Sequence, residues 1–244
     1  MECNENWFDS PYYKILYQNR DEQEAQEFLI KLLAYLQPPV GSRILDIACG
    51  EGRFAKQLAE HKYDVTGIDI SHPAIAKAKA FETENLNFFV QDMRMPFYIN
   101  YFDYAFNFFT SFGYFLNSRD HNLAAKAFVG CLNSNGILVV DYLNYEAVVS
   151  NLVKEEIIHI GSYVFNITRK IDDKHIIKEI KFIDAERKQK YYIESVAKFS
   201  LSDFIKMFKI AGLSLVASFG DYELNPYFSS DSARLIMVFK KKNV

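Results

Sequence analysis

Three carboxylates and two glycines have the spacing of a ligand-binding turn. Asp46 stands four residues before Gly50, Gly52 follows two residues later, Asp69 comes seventeen residues beyond Gly52, and Asp92 closes a further apolar run. Glycines at 50 and 52 let the chain reverse sharply and approach a ligand closely, because a Cβ at either would stand in the way. A carboxylate ending the next strand is placed to accept hydrogen bonds from both hydroxyls of a ribose, and Asp92 to accept one from an adenine amino group. Read on to Ala55, the same turn also satisfies G-x-G-x-x-A, a dinucleotide signature, so the glycines alone leave two readings open. The three carboxylates favour a nucleoside with a cationic centre and no pyrophosphate.

These residues work together only if three strand ends meet, and the flanking pattern predicts that. Ser10-Pro11 starts a short helix over Tyr12–Tyr17, and apolar residues at 25, 28, 29, 32, 33 and 36 mark one face of a helix from Asp21 to Gln37. Strands follow at 43–48, 64–70, 86–90, 102–109 and 137–142, with a helix after the glycine turn that points Phe54, Ala55, Leu58 and Ala59 inward, helices at 71–80 and 120–132, and a turn at 133–136. Strands alternating with helices, several apolar on both faces, predict a parallel sheet covered on both sides. From about Lys154 the pattern changes to long alternating stretches, read as an antiparallel meander. Ser200 and Asp203 form a capping box for a helix to Ala211, Gly212 ends it, and 213–219 and 234–240 complete seven strands. The expected organisation is one domain over 1–244 with an antiparallel insert at 151–200 after strand five.

Composition narrows the function. The chain has 244 residues, net charge -3 and 50% hydrophobic residues, so it has a core to build and no overall positive field for a nucleic-acid backbone. Three cysteines (Cys3, Cys49, Cys131) form neither a disulfide framework nor a metal-ligand spacing, and the five histidines are scattered; no metal is expected. The aromatic stretch 97–116 carries Asn100, Asp103 and Asn107, groups costly in lipid, and reads as a buried strand with its exit loop. The N-terminus has no basic start or apolar core of a signal peptide, and a reducing, cytoplasmic setting is expected.

Taken together, ILDIACGEG, VTGIDIS and VQDM resemble, in order and spacing, the motifs of the class I S-adenosylmethionine-dependent methyltransferases. The resemblance runs from about Tyr12 to the C-terminus, with Ala48 where many members have glycine. It implies a Rossmann-like, doubly wound, mostly parallel seven-stranded sheet and S-adenosyl-L-methionine as cofactor, contacted by Ala48, Gly50, Gly52, Asp69, Ile70, Asp92 and Met93. Asp46 either orients the glycine loop or meets the methionine ammonium. YYKILYQNR, FTSFGYF and the insert look like the small-molecule branch that includes sugar-amine N,N-dimethyltransferases. That branch implies Tyr13 and Arg20 on the methionine carboxylate, Phe108 on the adenine and Tyr114 facing the acceptor. Tyr114 is the first candidate for a catalytic group, ahead of Asp141 and His121.

The implied reaction is methyl transfer to a small-molecule acceptor through N or O, with no nucleic-acid or membrane partner and a homodimer left open. Two alternatives stay in view. A nicotinamide-dependent oxidoreductase would use the same sheet but has no reason for Asp92. An RNA-modifying enzyme would use the eight basic residues between 169 and 190, which are interleaved with five acidic ones and read first as a solvated strand face.

Overall fold

The computed structural model describes residues 7–18 and 22–242. Ser10 accepts a hydrogen bond from Tyr12 N and opens α1 (Pro11–Leu16), where proline at the first position sacrifices no helical hydrogen bond. α2 (Glu22–Leu36) buries Ala25, Phe28, Leu29, Leu32 and Leu33 along one face, as the spacing predicts. There follow β1 (Arg43–Ile47), α3 (Arg53–Glu60), β2 (Asp64–Asp69), α4 (His72–Ala78), β3 (Leu86–Val90), β4 (Phe102–Asn107), α5 (Ser118–Cys131) and β5 (Leu132–Leu143). After the insert come α7 (Leu201–Ala211), β10 (Leu213–Phe219) and β11 (Arg234–Lys241).

The main sheet has the order β10-β11-β5-β4-β1-β2-β3, as expected seven-stranded and mostly parallel. β1 to β5 pair in parallel, and β11 runs antiparallel to both neighbours. From β1 the chain moves outward to β2 and β3, then returns to lay β4 on the other side of β1. That reversal opens a crevice beyond the carboxyl ends of β1 and β4, where such sheets bind ligands. Each face of the sheet has its own apolar layer. Phe128, Phe204 and Phe208 join Leu45 and Ile47 on one, and Phe28, Phe54 and Phe88 join Ile44 and Phe106 on the other.

The insert forms a second sheet of β6 (Glu155–Ile160), β7 (Tyr163–Ile171), β8 (His175–Ile183) and β9 (Gln189–Ala197), antiparallel throughout. Its buried face, with Phe165, Ile180, Phe182 and Tyr192, packs against Trp7 and Leu16 of the N-terminal segment. Trp7 and Tyr192 stand 4.6 Å apart between ring centres, and Tyr12 and Phe182 4.7 Å. Tyr142 Oη on β5 donates to Ala197 O at 2.7 Å, and Ala197 N donates to Gly113 O in the loop after β4 at 2.9 Å, fastening this unit to the main domain.

Local differences from the sequence reading have simple causes. The turn expected at 133–136 is a bulge within β5, because Leu132 pairs with Phe102 and Ile137 with Tyr104, leaving the intervening residues as slack. A six-residue helix, α6 (Tyr145–Ser150), follows β5 and is too short to show a period. The capping box holds: Ser200 and Asp203 bond each other's backbone, and Gly212 ends α7 in the left-handed region. Among the described residues, no helix is long and apolar enough to cross a membrane.

Candidate functional site

A cavity of about 400 Å³ lies beyond the carboxyl ends of β1, β2 and β3. Ten of the expected site residues line it: Tyr13, Asp46, Ala48, Gly50, Asp69, Ile70, Asp92, Met93, Phe108 and Tyr114. Gly52 does not reach it. A Cβ there would stand 2.4 Å from Phe88 Cζ, so this glycine, at φ +82°, lets α3 start directly on the β3 side chains. A Cβ on Gly50, at φ +57°, would meet nothing within 4 Å: the open space in front of it is the cavity itself. Arg20 lies outside the described residues.

The two carboxylates at the centre differ. Asp46 is 3% exposed, and its Oδ2 has no hydrogen-bond partner among the described residues. Burial pushes its pKa up to about 7, with the Asp69 charge adding to the rise and the Ala55 amide opposing it. A buried carboxylate oxygen without a donor is costly unless a ligand supplies one, and a cationic donor suits it best. Asp69 is already held: Gly50 N donates to Oδ2 and Ser71 N to Oδ1, each at 2.8 Å. Burial raises its pKa too, against those two bonds. The Ile70 amide is a third backbone donor, and a carboxylate has about four acceptor sites, so the group is aimed by the turn and remains able to accept from a ligand.

Asp92 is more committed. Arg94 Nη2 donates to it at 2.6 Å and Arg94 Nε at 3.0 Å, which lowers its pKa, and Arg94 also reaches Asp120 at 3.0 Å. Phe108 is 4% exposed and packs on Phe28, Phe54 and Phe106, reaching the cavity with little of its surface. Burial also raises the pKa of the Cys49 thiol, which argues against a nucleophilic role. The other polar candidates line neither this cavity nor its neighbour. Asp141 is fully buried, and His121 is buried with its pKa lowered by desolvation.

A second cavity of about 380 Å³ adjoins the first, between the main sheet and the insert. Arg53, Phe109, Thr110 and Tyr114 belong to both walls. Phe109 and Thr110 sit at φ +54° and +59°, a conformation that costs non-glycine residues energy and survives only when the surroundings enforce it. Asp141 enforces it. Its Oδ2 accepts from Phe109 N at 2.8 Å and its backbone carbonyl from Thr110 N at 3.0 Å, while Arg234, 2.8 Å from Asp141 Oδ1, donates to Thr110 Oγ1 at 3.0 Å. The sequence reading missed Arg53 and this Asp141–Arg234 pair. Arg53 opens the helix after the glycine turn, a position its spacing discloses; the pair joins strands 93 residues apart, and only the pairing of β5 with β11 reveals it.

Comparison with known proteins identifies the same stretch. Residues 44–136 match the family model described as a methyltransferase domain, which spans all three motifs. A methyltransferase-named protein of Geobacillus sp. (strain WCH70) is 33% identical over 119 residues, 48% of each chain. The chain spans about half the length of the curated relatives it matches. Among solved structures, an S-adenosylmethionine-dependent methyltransferase from Clostridium acetobutylicum superposes with TM-score 0.79 at 19% identity, covering 95% of this chain and 96% of that one. The sugar N-methyltransferase KedS8 from Streptoalloteichus sp. gives 0.74 at 18%, covering 95% and 93%. The resemblance read from the motifs, and the fold it implied, are borne out.

Proposed function

With residues 44–136 identified as a methyltransferase domain, we propose that the chain uses S-adenosyl-L-methionine to methylate a small-molecule acceptor on nitrogen or oxygen. The observation that carries this reading is the pair of carboxylates on one cavity, Asp46 with a buried, unpartnered oxygen and Asp69 aimed by Gly50. An ammonium suits the first and ribose hydroxyls the second. When bound, the cofactor supplies a methyl group already activated by a sulfonium, so positioning accounts for much of the rate, up to ~7–11 kcal/mol in favourable cases.

The remaining residues have matching tasks. Tyr13 enters from α1, where the small-molecule branch holds the methionine carboxylate, and Arg20 shares that task. Ala48, Ile70 and Met93 supply apolar wall, and Asp92 accepts from the adenine with its charge already balanced by Arg94. Phe108 packs on the adenine, and the rings of Phe109 and Tyr114 on the cavity wall are available to a cationic centre, a contact worth ~0.5–2 kcal/mol each. Tyr114 lines the wall common to both cavities, which supports a role in orienting the acceptor or exchanging a proton with it. The second cavity receives the acceptor, and the insert with the N-terminal segment closes it from water. The sugar N-methyltransferase KedS8 shares the whole fold at this chain's length, which supports a small acceptor.

The basic residues of the insert support this reading over an RNA surface, since Arg169, Lys170, Lys178, Lys188 and Lys190 each stand against a carboxylate. Titration calorimetry with S-adenosylhomocysteine and with NADH tests the proposal. Single-site binding of the first and none of the second is expected, and the reverse overturns it.

A further inference from the structure

Charge on the wall of the second cavity is arranged unevenly. Arg53, Arg169, Lys178 and Arg234 line it against Glu24 and Glu194. Two of the cations are held from behind. Arg234 pairs with Asp141 at 2.8 Å, and Arg169 with Glu156 at 2.5 Å, yet neither carboxylate is on the wall. Each pair is therefore a dipole with its positive end toward the cavity. Glu194 does not reverse this. It accepts from Trp7 Nε1 and from Tyr17 Oη at 2.7 Å, and Lys178 stands 3.8 Å away, so its charge is spent on joining the N-terminal segment to the insert.

Both guanidiniums also keep donors in hand. The bonds of Arg234 to Asp141 and Thr110 run through Nε and Nη2, leaving Nη1. Those of Arg169 to Val153 O and Glu156 run through Nη1 and Nη2, leaving Nε. Planar guanidinium donors match a carboxylate closely. Leu143, Val148 and Ile176 offer apolar surface beside them for a carbon skeleton.

We propose that the acceptor carries a carboxylate, bound by Arg169 and Arg234, and presents its nucleophilic atom toward Tyr114 on the shared wall. This rests on the methyl-transfer reading for the reaction and on the second cavity alone for the recognition. The step balances simply: the acceptor nitrogen or oxygen forms a bond to the methyl carbon as the bond from that carbon to sulfur breaks. The electron pair stays on sulfur, and the acceptor's proton leaves to the surroundings.

The test uses paired acceptors, each an acid beside its amide: glycine and glycinamide, β-alanine and β-alaninamide, anthranilate and anthranilamide, salicylate and salicylamide. S-adenosylhomocysteine formation is followed for the full chain, for Arg169→Gln and for Arg169→Lys. At least one acid is expected to turn over with kcat/KM about 10- to 100-fold above its amide. Arg169→Gln brings that ratio near one through KM and Arg169→Lys restores part of it, both with unchanged S-adenosylhomocysteine affinity. Amides used as well as acids, a ratio that survives Arg169→Gln, or no turnover of any acid by protein that binds S-adenosylhomocysteine overturns the proposal. A thermal-shift series with the same acids and no cofactor separates the two readings. Stabilisation of the native chain but not of Arg169→Gln upholds carboxylate recognition even if S-adenosylhomocysteine fails to bind, and no shift with any acid counts against it.

Discussion

The two adjoining cavities are built from different materials. The first takes its polar groups from strand ends and one tight turn, with Asp46, Gly50 and Asp69 on β1, the following loop and β2. The second draws on β7, β8, β9 and β11 and on α2, elements far apart in the chain. One is acidic at its centre with an unsatisfied oxygen, and the other is lined by cations braced from outside. The contrast separates a cofactor site specified by local backbone geometry from an acceptor site specified by long-range packing, with the Phe109–Thr110 turn as their common wall.

Breaking that wall has the largest expected effect. Arg234→Met leaves Asp141 as an uncompensated buried charge and releases the strained turn, so a loss of ~3–5 kcal/mol is expected in urea unfolding. A loss under about 1 kcal/mol would show that the pair does not hold the wall. Gly52→Val places a side chain into Phe88 at a left-handed backbone, with an expected cost of ~2–4 kcal/mol in the same measurement. Asp69→Ala acts on one cavity only. It weakens S-adenosylhomocysteine binding by ~1–3 kcal/mol in calorimetry, and unchanged affinity contradicts its role.

Asp46 sharpens the comparison through pH. Its carboxyl is protonated at low pH because burial raises the pKa to about 7, and a bound ammonium lowers that pKa by favouring the charged form. Affinity for S-adenosylhomocysteine therefore rises with pH up to about 7 and levels off above it; Asp46→Asn binds more weakly and loses the slope. The sign for stability is opposite. Without ligand, ionising this buried group costs energy, so its contribution to the fold falls as pH climbs from the ordinary carboxylate range through about 7. The smallest effect is Lys178→Ala. It lies on the second cavity, and its change in cofactor affinity stays within about 0.5 kcal/mol.

The same division decides how much was legible in the sequence. Asp46, Gly50 and Asp69 could be read because strand, turn and strand are contiguous and each residue's type answers a local need. The seven strands and the meander were equally plain from periodicity. Gly52 had the right type for another reason, since its neighbour Phe88 comes from a strand whose register the sequence does not display. Arg169 read as part of a solvated basic face, because only the docking of the insert beside β5 and the β4 exit loop puts it on a cavity wall. Asp141 looked like a candidate base, and its burial beneath Phe109 and Arg234 depends on contacts 32 and 93 residues away.

A crystal structure of the chain with S-adenosylhomocysteine tests the central claim most directly. The account predicts the ligand's ammonium nitrogen about 3 Å from Asp46 Oδ2 and its ribose hydroxyls on Asp69, with the sulfur facing Tyr114. A ligand bound elsewhere, or one that leaves Asp46 Oδ2 without a donor, would contradict it.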